Sequence, residues 1–97
     1  MNQAISLRVS RLRALVNFGL TYIDQGDFTK AIDCYSRSLT IFEELGDKQG
    51  IANSLNNIGI IYKDQGDFAK ALENLSKALS IAQKIGAVET IKFAMAI

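Results

Sequence analysis

The side chains with most to offer chemically are asparagines. Asn17 and Asn57 stand 40 positions apart, and Asn53 and Asn56 sit beside the second. A carboxamide carries both a donor and an acceptor, so it can satisfy a peptide unit without reading that unit's side chain. The same groups can also tie neighbouring helices together, and the spacing alone leaves both uses open. Little else could do chemistry. The chain has no histidine, hence no side chain whose ordinary pKa would make it a base near neutrality. Ser-His-Asp, Cys-His and zinc-binding sets are excluded by the same absence and by the single cysteine, Cys34. No G-x-x-x-x-G-K-[ST] phosphate loop and no G-x-G-x-x-G is present. Asp24-x-x-Asp27 and Asp64-x-x-Asp67 have a calcium-like spacing but lack the rest of the loop and its closing glutamate. The residues therefore predict no enzyme, no cofactor and no metal site. Cys34 can form no intrachain disulfide. Its counterpart 40 residues on is Asn74, which predicts a partly exposed helix position. A redox thiol there would need a lowered pKa.

The elements that must position these residues are written twice. Asn17-Phe18-Gly19-Leu20-Thr21-Tyr22-Ile23-Asp24-Gln25-Gly26-Asp27-Phe28-Thr29-Lys30-Ala31-Ile32 returns, without an indel, as Asn57-Ile58-Gly59-Ile60-Ile61-Tyr62-Lys63-Asp64-Gln65-Gly66-Asp67-Phe68-Ala69-Lys70-Ala71-Leu72. The match continues through Ser36/Ser76, Leu39/Leu79, Ile41/Ile81 and Gly46/Gly86. A fixed period in the range of about 20–50 residues marks a repeat array. Helical spacing places a first helix over about Ser6 to Asp24, with Leu12, Leu15, Phe18, Gly19 and Tyr22 inward. A second runs from Phe28 to Leu45 on the stripe Phe28, Ala31, Ile32, Tyr35, Leu39, Phe42 and Leu45. A third covers about Gln49 to Asp64, with Ile51, Leu55, Ile58, Gly59 and Tyr62 inward. The fourth covers Phe68 to Ile85, burying Phe68, Ala71, Leu72, Leu75, Ala78, Leu79, Ala82 and Ile85; a fifth starts near Val88. In each hairpin joint, Gly26 or Gly66 ends a helix and Asp27 or Asp67 caps the next. Gly46 to Gly50 reads as the turn between repeats. Asp33/Arg37 and Glu73/Lys77 are paired four apart on outer faces. Gly19 and Gly59, costly in mid-helix, predict close helix crossings with Ala31 and Ala71 opposite.

Leu15, Phe18-Gly19, Tyr22, Gly26-Asp27-Phe28, Ala31, Tyr35 and Ser38 in one copy, and Leu55, Ile58-Gly59, Tyr62, Gly66-Asp67-Phe68, Ala71, Leu75 and Ala78 in the other, resemble the tetratricopeptide repeat. The usual repeat of that family is about 34 residues. The longer copies here, without the proline near the end of the second helix, resemble an extended subclass found in bacterial signalling proteins and kinesin-light-chain-like scaffolds. The resemblance implies an all-α right-handed solenoid of helical hairpins: repeat one at about 8–47, repeat two at about 48–87, and a partial third repeat or capping helix at 88–97. It also implies a protein–protein interaction module whose first helices line a concave groove. Carried over by position, that groove is lined by Arg13, Val16, Asn17, Leu20, Asn53, Asn56, Asn57, Ile60 and Lys63, and an asparagine at Asn17 and Asn57 meets a bound peptide's backbone. The chain departs from the carboxylate clamp that grips acidic chaperone tails: Val16 and Leu20 stand where that clamp wants Lys and Asn.

Composition sets the remaining expectations. Apolar residues make up 48% of the 97, enough for one packed domain, and a net charge of +1 gives no electrostatic case for nucleic acid or an anionic membrane. Arg8, Arg11 and Arg13 read as a solvated flank with a groove-facing charge or two. No apolar run is long enough to span a bilayer, and residues 1–8 lack the apolar core of a signal peptide, so a cytoplasmic setting is expected. An array of two repeats leaves apolar ends. The chain is then a fragment of a longer array, a unit that self-associates through those ends as a homo-oligomer or scaffold, or one capped by its last helix. A regulatory sensor piece of a larger signalling protein is a further alternative.

Overall fold

The computed structural model describes residues 3–86, which form four helices: α1 (Gln3–Asp24), α2 (Phe28–Leu45), α3 (Lys48–Asp64) and α4 (Phe68–Ile85). The expected fifth helix lies outside the described residues. α1 begins three residues before its expected start. α3 begins at Lys48 because Asp47, not read as a cap from sequence, accepts a hydrogen bond from the Gly50 amide at 3.0 Å. The Asp27 and Asp67 carboxylates accept from the Lys30 and Lys70 amides, each at 3.2 Å, so both act as N-caps as expected.

The hairpin joints show why the copies fold alike. Gly26 and Gly66 take φ of +75° and +83°, a conformation other L-residues rarely adopt. That turn lets the Asp27 amide reach the Tyr22 carbonyl at 2.8 Å and the Asp67 amide reach Tyr62 at 2.9 Å. The carbonyls freed at the helix ends are thus satisfied within three residues of chain. Across each joint a lysine ammonium lies over the first helix's tyrosine ring, Lys30 on Tyr22 at 5.6 Å and Lys70 on Tyr62 at 5.4 Å.

Helices α1 and α2 pack as one hairpin, α3 and α4 as another, and α2 against α3 joins them. Ala31, Tyr35, Ile58 and Ile61 form the buried cluster at this joint, with Tyr22, Ile23, Phe28, Ile32, Leu39 and Tyr62 packed on it. The thinnest dimension is 18 Å, about two helix diameters, so this is an all-α solenoid two helices thick. Much of the interior is alanine: Ala31, Ala52, Ala71, Ala78 and Ala82 are all at most 3% exposed. Small side chains let backbones approach, and dispersion then comes from close packing rather than bulk.

Gly19 and Gly59 lie at close crossings, as their spacing predicts, but Ala31 and Ala71 are not the main residues opposite. A Cβ at Gly19 would come within 3.1 Å of the Tyr35 ring, and one at Gly59 within 2.7 Å of Leu75 Cγ, with the Ala71 carbonyl at 3.3 Å. The facing side chains belong to the next turn of the partner helix. Gly50 belongs to α3, not to the turn, and is buried against the Phe42 ring.

Four residues expected inward are outward. Phe18 is 57% exposed, and Phe68 and Leu72 are 68% exposed. Ile85, also expected inside, is exposed as well. The reason is positional: Ile58, the counterpart of Phe18, is 4% exposed because repeat one covers it. Among the described residues no further hairpin performs that service for either end.

Candidate peptide-binding face

Helical geometry sorts the asparagines before any partner is considered. Positions 13, 17 and 20 on α1, and 53, 57 and 60 on α3, follow the i, i+4, i+7 spacing that keeps residues on one face. Arg13, Asn17 and Leu20 are exposed, as are Asn53, Asn57 and Lys63, while Val16 and Ile60 are half-buried. Leu12, Arg13, Val16 and Asn17 line a hollow of about 370 Å³ confined to α1. The α1 and α3 sets are thus each assembled on their own helix.

Hydrogen bonding separates the four carboxamides. Asn53 Oδ1 accepts from Gln49 Nε2 at 3.0 Å, one turn away on the same helix. The Asn17 backbone carbonyl accepts from Thr21 Oγ1 at 2.9 Å. Among the described residues, neither the Asn17 nor the Asn57 side chain is hydrogen-bonded to another helix, so both carboxamides stand free in solvent. Asn56 departs from the expected groove lining. It is 9% exposed, and its Oδ1 is walled off from solvent with no partner. A carbonyl so enclosed meets no ligand in this conformation. The sequence carried a signal for it: the counterpart position holds Val16, an apolar residue leaning towards the interior.

The end face of the first hairpin carries features the sequence did not mark. Arg8, Arg11, Leu15, Arg37, Thr40, Ile41 and Glu44 line a cavity of about 650 Å³. A second, of about 480 Å³, continues it past Ala14, Phe18, Tyr22 and Cys34. Arg8, expected as a solvated flank, is tied to Glu44 at 3.2 Å, and the expected outer pair Asp33–Arg37 is made at 3.1 Å. The outer pair Glu73–Lys77, at 3.3 Å, matches its expectation.

Cys34 is buried rather than partly exposed, whereas its counterpart Asn74 is half covered. Burial pushes its thiol pKa up, the Asp33 carboxylate adds to that, and the Arg37 guanidinium opposes it. The thiolate, the reactive form, is disfavoured. Among the described residues no group of three His, Cys, Asp or Glu side chains could hold a metal ion, and no helix is long and apolar enough to cross a membrane.

The family described as tetratricopeptide repeat matches residues 10–84, which includes both hairpin joints and the whole of α2 and α3. No curated protein matches the chain.

Proposed function

The chain belongs to the tetratricopeptide repeat family, whose repeats generally mediate protein–protein interaction, and from that premise we propose that it is a non-catalytic module that binds a peptide segment along α1 and α3. The observation that carries this reading is the pair of free carboxamides, Asn17 and Asn57, at one repeat's offset on exposed helix faces. Each can donate to and accept from a peptide unit. Leu20, Val16 and Ile60 offer apolar purchase between them, and Arg13 and Lys63 offer charge at the edges. That mixture suits an extended segment anchored by apolar side chains, with affinity from main-chain hydrogen bonds. Asn56 supports the wall rather than the contact.

The test is a selection of displayed random peptides on the immobilised full chain, followed by titration of the best binder. The Asn17→Ala/Asn57→Ala double variant is expected to weaken it at least about tenfold, a loss of 1.4 kcal/mol, with an unchanged thermal melt. Unchanged affinity together with a lowered melting temperature would assign both asparagines to structure and sink the reading.

A further inference from the structure

We infer that the peptide face on α1 and α3 selects an extended segment whose lysine or arginine side chains recur along one edge. The inference rests on the peptide-binding reading of that face and names the class of partner it takes. Three rows of residues repeat there at one repeat's offset: Asn17 and Asn57, Leu20 and Ile60, Asp24 and Asp64. Within each helix they follow the i, i+3, i+7 spacing of a single stripe. Helices α1 and α3 each form a hairpin with α2 through a short joint, so they run in the same direction. The two aspartates therefore lie at one edge of the face, beyond the apolar row and beyond the asparagines.

Those aspartates do not serve the fold. Each is the last residue of its helix, where the macrodipole is negative and a carboxylate is disfavoured. Most other acidic groups are engaged: Asp27, Asp47 and Asp67 cap helices, and Asp33, Glu44 and Glu73 each hold a cation. Asp24 and Asp64 are exposed and, among the described residues, do neither. Glu43 is also free, but its counterpart is Gln83, so no row forms there. A basic side chain fits the steps of the stripe. Helix rise puts Leu20 about 4.5 Å and Asp24 about 10 Å beyond Asn17. Helix side chains lean towards the N-terminus, which brings the carboxylate back towards Leu20. A backbone held by the carboxamides lays the methylene stem of a lysine or arginine over the apolar row and sets its charged head at the carboxylate. Such side chains bury their stems on apolar surface and keep the head in water; Leu20, 52% exposed, and half-buried Ile60 offer that surface. An extended chain sends alternate side chains to opposite edges, so the basic residues recur at even intervals. The other edge carries Arg13, whose counterpart is Asn53, and so presents no row of charge. Lys63 adjoins Asp64 but stands about 100° around α3, off the row.

The probe is a labelled octapeptide of alternating threonine and lysine, capped at both ends and titrated into the full chain by fluorescence anisotropy. Three relatives keep the threonines and replace the lysines. Glutamate reverses the charge, norleucine keeps the stem without the charge, and diaminopropionate keeps the charge without the stem. The lysine peptide is expected to bind at least about tenfold more tightly than each of them, and to weaken as salt rises through about 0.1 M. A single exposed ion pair contributes little, so both carboxylates are removed together: Asp24→Asn/Asp64→Asn should weaken the lysine peptide about tenfold. The melting temperature of that variant should not fall, because neither carboxylate supports the fold. Asp33→Asn/Glu73→Gln makes the same change in net charge on the outer faces and should leave binding unchanged. Asp24→Lys/Asp64→Lys should prefer the glutamate peptide. No binding, equal binding of the four peptides, or indifference to Asp24 and Asp64 overturns the inference. The asparagine variant tells that failure from failure of the peptide face. If the selected library peptide needs Asn17 and Asn57 but not the aspartates, the peptide face stands and its preference for basic segments falls. If the lysine peptide needs the aspartates but not the asparagines, the peptide face falls and the inference falls with it.

Discussion

Cys34 and Tyr35 are adjacent acids on α2 that burial holds in their neutral forms. Burial raises both pKa values, with Asp33 adding to the rise at Cys34 and Cys34 to that at Tyr35. The unfolded chain releases these protons near the ordinary values, about 8.5 and 10, before the folded chain does. Above those values unfolding is favoured, so the stability these groups contribute is complete at neutral pH and falls as pH rises. Urea midpoints are therefore expected to be flat between roughly pH 6 and 8 and to drop above about 9. The drop should be smaller in a Cys34→Ala/Tyr35→Phe variant; an identical decline in both chains would refute the cause. The aspartate caps act at the same scale. Asp27→Ala and Asp67→Ala should each cost about 1 kcal/mol in chemical denaturation, because each leaves one helix-terminal amide unpaired. Both caps were legible in the sequence, since Gly-Asp after an apolar stripe specifies its own turn. Burial of Cys34 was not: the residue type announces no neighbour, and its exposed-looking counterpart Asn74 pointed the other way, whereas the burial of Asn56 was hinted at only by its apolar counterpart Val16.

At the scale of the helix, the three interior glycines make different demands. Alanine at Gly19 gains up to about 1 kcal/mol of helix propensity and asks only a small shift of the Tyr35 ring. Its melting temperature is expected to stay near that of the parent chain. Gly59 meets the branched Leu75 and a backbone carbonyl, which yield less. Gly59→Leu is expected to cost at least about 1–3 kcal/mol through overpacking, and a thermal melt that does not move would rule this out. The repeat made helix type, the boundaries of α2 and α4, and the two close crossings readable, because each signal occurs twice. Periodicity gives the face of a helix but not its partner. It therefore pointed to Ala31 and Ala71 where Tyr35 and Leu75 lie, and it left Gly50 in the turn although Asp47 starts α3 ahead of it.

For the array that the described residues form, stability depends on the joint between the two hairpins. Each hairpin touches only its neighbour, so stability approximates two hairpin terms and one interface term. Gly50 lies in that interface beneath Phe42. Gly50→Ala is expected to weaken the coupling itself, broadening the urea transition and lowering its slope, whereas Gly59→Leu should shift the midpoint. A Gly50→Ala transition as steep as the parent's would count against an interface role. The apolar character of both ends of the described hairpins was also legible, since Phe18, Phe68 and Leu72 fall on the apolar stripes. The gathering of Arg8, Arg11, Arg37 and Glu44 at the first end was not, because it emerges only when α1 and α2 bring them to one cavity. The lysine-over-tyrosine contacts carry an optical consequence. The chain has three tyrosines and no tryptophan: Tyr22 lies under Lys30 in the first hairpin, Tyr62 under Lys70 in the second, and Tyr35 in the joint. Replacing any two by phenylalanine leaves one emitter at a known address. Three such chains would report the melting of hairpin, joint and hairpin separately, by intrinsic light alone and without an attached dye.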